Sequence, residues 1–154
     1  MPFEEDGDIA QTHPSDHVFQ QCISPACGAT CGVEEVRVAC PKCGNLLDVA
    51  YAWDRVGPPR SLRELEAAWA RRDDPHCFSG VWRFHRLLPF APIDQCVTVG
   101  EGQTLLHASE GVAKYVGVRP GRLFLQYEGM NPSGSFKDNG MSAAFTHARV
   151  TGAT

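Results

Sequence analysis

Two stretches of this sequence hold side chains whose type and spacing can do chemistry. The first is a run of thiols: Cys22, Cys27, Cys31, Cys40 and Cys43, five of the seven cysteines, lie within 22 residues. Cys40-Pro-Lys-Cys43-Gly44 is a CxxC knuckle, a turn that aims two thiolates at one tetrahedral ion while the glycine lets the backbone fold beneath the sulfurs. Cys22 and Cys27, with four residues between them and Gly28 after, form a second arm with spacing suited to structural zinc. Cys27 and Cys31 would also make an acceptable arm, so either Cys22 or Cys31 is the spare. The set Cys22, Cys27, Cys40 and Cys43 is favoured because each pair then ends in Cys-Gly. Four thiolates leave no open coordination position, which makes the expected zinc structural rather than catalytic. Reduced thiols without metal are the competing reading. Cys77 and Cys96 stand alone and read as core thiols.

The second stretch is Asn131-Pro-Ser-Gly-Ser-Phe-Lys137-Asp-Asn-Gly-Met141. It delivers a lysine to the first turn of a helix, where unpaired N–H groups and the positive dipole end disfavour a cation and favour bound anions. Ser133, Ser135 and the backbone at Gly134 supply donors for a phosphate or carboxylate. An amine so placed suits Schiff-base chemistry with an aldehyde cofactor. A lysine at a helix start is more often simply solvated, so the spacing alone does not decide the matter.

The elements that must position these groups are legible in part. Residues 1–17 carry five acids and no Lys or Arg, and read as a flexible acidic tail, not a secretory or transit peptide. Residues 18–54 form the zinc-ribbon-like segment. Val33, Val36 and Val38 suggest a short extended stretch, and Leu47, Val49, Tyr51 and Trp53 alternate as a half-buried strand, together a two-stranded ribbon. Residues 55–95 are a helix and connecting region. Ser61 and Glu64 make a capping box, Leu62, Leu65 and Trp69 an apolar face, and Asp73-Asp74-Pro75 a stop. From residue 96 to 154 the pattern changes to the start of an α/β domain. Val97 and Val99 lead into the Gly100-Glu101-Gly102 turn, and a short helix spans about Ser109–Val116 with Gly117 ending it. Leu123 to Tyr127 form an apolar strand, and a helix follows from about Phe136 to Gly152, capped by Ser135.

Composition sets outer bounds. The chain has 154 residues, 14 Lys+Arg against 18 Asp+Glu, and a formal charge of −4. Lys42 and Arg37 are the only basic residues between Cys22 and Trp53, too few to track a phosphate backbone, so no nucleic-acid partner is expected. No apolar run approaches the roughly 20 residues of a membrane span. A cytoplasmic protein with no membrane partner is the expectation.

The segment NPSGSFKDNGM resembles the cofactor-lysine segment of pyridoxal-phosphate enzymes of the tryptophan synthase β-like (fold type II) group. Three further segments agree in order: the cysteine ribbon ending CPKCGNLLDVAY, then GVWRFHRLLP, then GEGQTLLH. Within the group the chain is most similar to threonine synthase, over roughly residues 20–154. The resemblance implies a small N-terminal zinc-ribbon-like β element followed by the first, incomplete part of a fold type II α/β domain. It implies that Lys137 is both the cofactor-binding and the catalytic residue, joined to pyridoxal 5′-phosphate and then moving protons at Cα and Cβ of O-phospho-L-homoserine. Phosphate leaves from Cγ, water adds at Cβ, and L-threonine is released. Ser133 and Ser135 are the candidate contacts for substrate or other anions. Glu101 reads first as structural, with a substrate contact as the alternative.

The family usually has Pro where Leu105 stands, Lys where Gln126 stands and Arg where Asn139 stands. It also continues with an Asn-bearing loop and a glycine-rich phosphate cup, which this sequence does not reach by Thr154. The expectation is an N-terminal portion inactive by itself, and a homodimer at full length. The alternatives are a related enzyme with the same lysine, such as a threonine/serine dehydratase or a cysteate synthase, and a non-catalytic zinc-ribbon interaction protein.

Overall fold

The computed structural model describes residues 17–153, so all but the last residue of the expected 1–17 tail lies outside the described residues. The chain divides into two compact units, with the break between Val56 and Gly57. Expected segments 55–95 and 96–154 therefore fall almost wholly within one unit. Among the described residues the first unit holds strands alone, and the second mixes helix and strand.

The first unit is a three-stranded antiparallel sheet with β1 (Val18–Cys22) in the middle, β2 (Thr30–Gly32) on one side and β3 (Leu47–Tyr51) on the other. Register pairs Gln20 with Cys31 and with Val49. The two-stranded expectation is corrected here. Residues 33–38 form turns rather than a strand, and the missing strands are Val18–Cys22 and Thr30–Gly32. The physical reason is Gln20, a buried polar residue at a core-facing position. Its amide donates to the carbonyls of Gly32 and Glu35, each at 2.7 Å, so the buried N–H groups are satisfied.

The second unit opens with α1 (Leu62–Ala70). Ser61 occupies the N-cap with extended backbone but makes no side-chain cap bond. Glu64 instead accepts from the Arg60 N–H at 3.0 Å and pairs with Arg86 at 2.6 Å, so the expected capping box is not formed. Asp73-Asp74-Pro75 does more than stop this helix. The Asp74 carboxylate accepts from the N–H groups of His76 and Cys77 and starts a helical turn, α2 (Pro75–Phe78). A 3-10 segment, Trp82–Leu87, then buries Trp82, whose indole N–H donates to the Val97 carbonyl at 2.7 Å.

Strand β4 (Leu105–Ala108) pairs antiparallel with β5 (Phe124–Tyr127), and α3 (Glu110–Tyr115) lies between them in sequence. Gly117, with φ +74°, ends α3. The final helix, α4 (Lys137–Val150), turns a polar stripe inward: Asp138, Ser142 and Thr146, spaced four apart, are its buried residues. Thr146 Oγ1 accepts from the Val97 N–H at 2.8 Å and donates to the Ser142 carbonyl at 2.8 Å. No helix among the described residues is long and apolar enough to cross a membrane.

Candidate functional site

In the first unit the turns after β1 and before β3 bring four sulfurs together. The Sγ atoms of Cys22, Cys27, Cys40 and Cys43 all lie within 4.8 Å of one another. Cys22 and Cys43 approach to 3.4 Å, and Cys27 and Cys40 to 3.8 Å. Four thiolates on a tetrahedron with Zn–S bonds of ~2.3 Å would be separated by ~3.8 Å, so small adjustments would seat an ion. The knuckles are built alike. Cys27 and Gly28 donate back to the Ser24 carbonyl at 3.0 and 3.2 Å, and Gly44 donates to the Cys40 carbonyl at 2.9 Å. Gly28 and Gly44 take φ of +56° and +73°, the left-handed geometry that glycine adopts without strain. Donors also reach the sulfurs: the Ser24 N–H meets Cys22 Sγ and the Asn45 amide meets Cys43 Sγ, both at 3.4 Å. Hydrogen bonds from the Asn45 side chain and backbone draw the Cys43 thiol down to about 6. At Cys22 the Ser24 N–H pulls down, but burial and the neighbouring thiols prevail and push it up to about 12. A cation at the centre would relieve that conflict by favouring every thiolate. Cys31, the other candidate, sits on β2 opposite Gln20 and outside the four-sulfur group. Cys77 and Cys96 are buried in the second unit.

In the second unit the loop before α4 presents Lys137 as the helix's first residue, exposed, with Nζ 4.8 Å from the Phe136 ring centre. The loop is fastened at both ends. At its start Asn131, buried, donates to the Glu128 carbonyl and carboxylate at 3.0 and 2.7 Å and accepts from the Gly102 N–H at 2.8 Å. At its end the Asp138 carboxylate folds back onto Ser133, taking its N–H at 2.8 Å and its hydroxyl as well. These bonds hold the Asp138 carboxyl below the usual carboxylate range. Ser135 Oγ accepts from the Lys137 N–H at 3.2 Å, although the N-cap position itself falls to Phe136. Lys137, Ser133 and Ser135 therefore share one short loop. Ser133 spends its donors on Asp138, whereas the Ser135 hydroxyl proton remains available to an anion.

No family model matches the sequence. Among curated proteins, the chain is 33% identical over 135 residues to a threonine synthase of Methanocaldococcus jannaschii, covering 88% of the chain and 30% of that protein. It is 34% identical over 132 residues to a threonine synthase of Methanosarcina acetivorans, covering 86% of the chain and 28% of that protein. A threonine synthase of Synechocystis is 44% identical over 68 residues, covering 42% of the chain and 18% of its own length. Over most of its own length this chain is similar to threonine synthases. It spans just under a third of the length of the first two.

Within the part shared with these threonine synthases lies a hub around Glu101, expected first as structural with a substrate contact as the alternative. Glu101 is fully buried, and its carboxylate accepts from the Ser79 hydroxyl, from the Thr98 hydroxyl at 2.8 Å and from the Val99 N–H at 3.1 Å. Burial by itself would raise this acid, but the bonds from Ser79, Thr98 and the backbone outweigh it and hold Glu101 below its ordinary value. Asn131 was not singled out at all. The signal that could have found it is its place at the head of the loop, since Asn ahead of Pro-Ser-Gly favours a side-chain-stabilised turn.

Proposed function

We propose that this chain carries the lysine-bearing opening and a structural zinc ribbon of a threonine synthase-type, pyridoxal-phosphate-dependent lyase. The reaction is conversion of O-phospho-L-homoserine and water to L-threonine and phosphate, in a cytoplasmic homodimer at full length, with this portion inactive alone. The observation that carries the reading is Lys137. It is an exposed amine on the first residue of α4, in a loop tied down by Asn131 and Asp138, in a chain similar over 88% of its length to a threonine synthase.

The residues present fit the cofactor. Among the described residues no carboxylate pairs with Lys137, so its amine is open to an aldehyde. When bound, pyridoxal phosphate supplies that aldehyde and a ring that withdraws electrons from the substrate carbon. The chain does the rest by position. Ser135 holds the Lys137 N–H and so fixes where the side chain leaves the helix. Asp138 binds Ser133 and closes the loop, and the Ser135 hydroxyl offers a donor to an anion. The Lys137 amine would hold and move protons at the substrate's Cα and Cβ. At the other end of the chain, Cys22, Cys27, Cys40 and Cys43 would hold zinc with no open position for substrate.

Lys42, Lys114 and Lys137 are the three lysines of the chain, which makes a chemical test discriminating. Incubation with pyridoxal phosphate followed by borohydride should attach the label at Lys137, and Lys137→Ala should abolish it. Equal labelling of Lys42 and Lys114 would overturn the assignment. Release of phosphate from O-phospho-L-homoserine by this chain alone would overturn its expected inactivity.

A further inference from the structure

We propose that the open cleft beside α1 is a second anion site, in which Arg72 and Arg83 bind a small phosphate-class ligand apart from the Lys137 loop. The cleft has a volume of about 760 Å³, within the usual range of small-molecule sites. Trp69, Arg72, Arg83 and Phe84 line it, and no residue of the loop 131–137 does.

The two guanidinium groups converge on one ring. The central carbon of Arg72 is 4.6 Å from the Trp69 ring centre and that of Arg83 is 5.5 Å from it, with Phe84 5.0 Å from Arg83. Two like charges are thus gathered without a counter-charge. The ion pairs among the described residues are Glu35–Arg37, Asp74–His76 and Glu64–Arg86, and neither Arg72 nor Arg83 belongs to one. Glu66 also lines the cleft, but it pairs with neither. Arg83 Nε is buried with no hydrogen-bond partner, an arrangement that costs free energy unless something fills it.

Arg86, three residues on, shows the contrast. It pairs with Glu64 at 2.6 Å and sends Nε and Nη2 to the Gly57 carbonyl at 3.0 and 2.7 Å. The same segment therefore satisfies one arginine within the fold and leaves another open towards a cavity. A planar guanidinium fork matches two oxygens of a phosphate, and ring faces hold the fork flat. The Trp69 and Phe84 faces also accept the organic part of a phosphate monoester. The shared chemistry is the phosphate group, whether free or esterified.

The test titrates the whole chain with inorganic phosphate and with phenyl phosphate at fixed ionic strength. Two-dimensional nitrogen–proton spectra report on the arginine Nε–H groups and the Trp69 indole, and calorimetry gives the affinity. Shifts at Arg72, Arg83 and Trp69 at millimolar ligand are expected. Arg83→Gln and Arg72→Gln should each weaken binding roughly tenfold, and Arg86→Gln by less than about twofold. Tighter binding of phenyl phosphate identifies a monoester site, and equal affinity identifies a free-phosphate site. The proposal is overturned by shifts confined to Ser133–Lys137, by affinity unchanged in Arg83→Gln, or by no shifts at all. The wild-type spectra decide the location even if a variant fails to fold.

Discussion

In the ribbon, six described residues are buried: Val18, Gln20, Cys22, Val33, Cys40 and Val56, and two of them are thiols of the four-sulfur group. In the helical unit the buried set is larger, yet half of it is polar: Ser79, Glu101, Asn131, Asp138, Ser142 and Thr146 beside Cys77, Trp82, Phe90, Ala91, Cys96 and Ala113. Neither unit rests on a purely apolar core. The ribbon gathers four sulfurs into a group that could hold a metal ion. The helical unit instead buries hydroxyls, an amide and carboxylates that are hydrogen-bonded within the chain. The first arrangement would be completed by an ion; the second is closed by bonds within the chain.

The largest expected effect breaks the ribbon alone. Structural zinc contributes about 10 kcal/mol or more to small metal-dependent folds. Cys40→Ser, or a strong chelator, should therefore abolish amide protection in β1 and β3 and leave residues 57–153 unchanged. Metal analysis should find one zinc per chain; protected strands in zinc-free protein would erase the contrast.

Next comes Glu101. Glu101→Ala leaves the Ser79 and Thr98 hydroxyls unpaired and should cost about 3 kcal/mol, read as thermal unfolding of the helical unit only. Because the folded carboxyl lies below its ordinary 4.5, its contribution is complete above that pH and is lost as pH falls through the folded value. Glu101→Gln should flatten this acid limb, and an unchanged limb would place the sensitivity elsewhere.

Gly80→Ala should cost somewhat less, about 2 kcal/mol, because the new Cβ would stand 2.6 Å from Gly102 Cα and 2.9 Å from the Glu101 carbonyl oxygen. The smallest pair compares two caps in denaturant melts. Asp74→Ala should cost about 1 kcal/mol, since its carboxylate serves two N–H groups, while Ser61→Ala should cost less than about 0.3 kcal/mol. Equal costs would mean that Ser61 caps after all.

What was legible in the sequence was local. Each knuckle is written in a few residues, with Cys40, Cys43 and Gly44 fixing both the turn and the direction of the thiols. The lysine loop and α4 were legible for the same reason, since Gly134, Ser135 and Lys137 act within one turn. The strand at Val18–Cys22 was not, because Gln20 faces inward and breaks the alternation that marks a half-buried strand. Strand β4 escaped because Leu-Leu-His-Ala is short and shows no period-two alternation. Glu101 gave only its type; its partner Thr98 is three residues before it, but Ser79 lies 22 residues before it and meets it only in the folded chain. The same holds for Arg72 and Arg83, whose shared ring, Trp69, had been read as part of a helix face.

The backbones of Gly80 and Gly102 touch with no room for a methyl between them, and the Gly80 N–H also donates to the Glu101 carbonyl at 2.7 Å. The 79–82 segment, which seats Trp82, abuts the Gly102 turn, whose N–H donates to Asn131 at the head of the loop that ends at Lys137. The Lys137 loop is thus tied from behind, as well as by its own helix, to the segment that holds a buried indole.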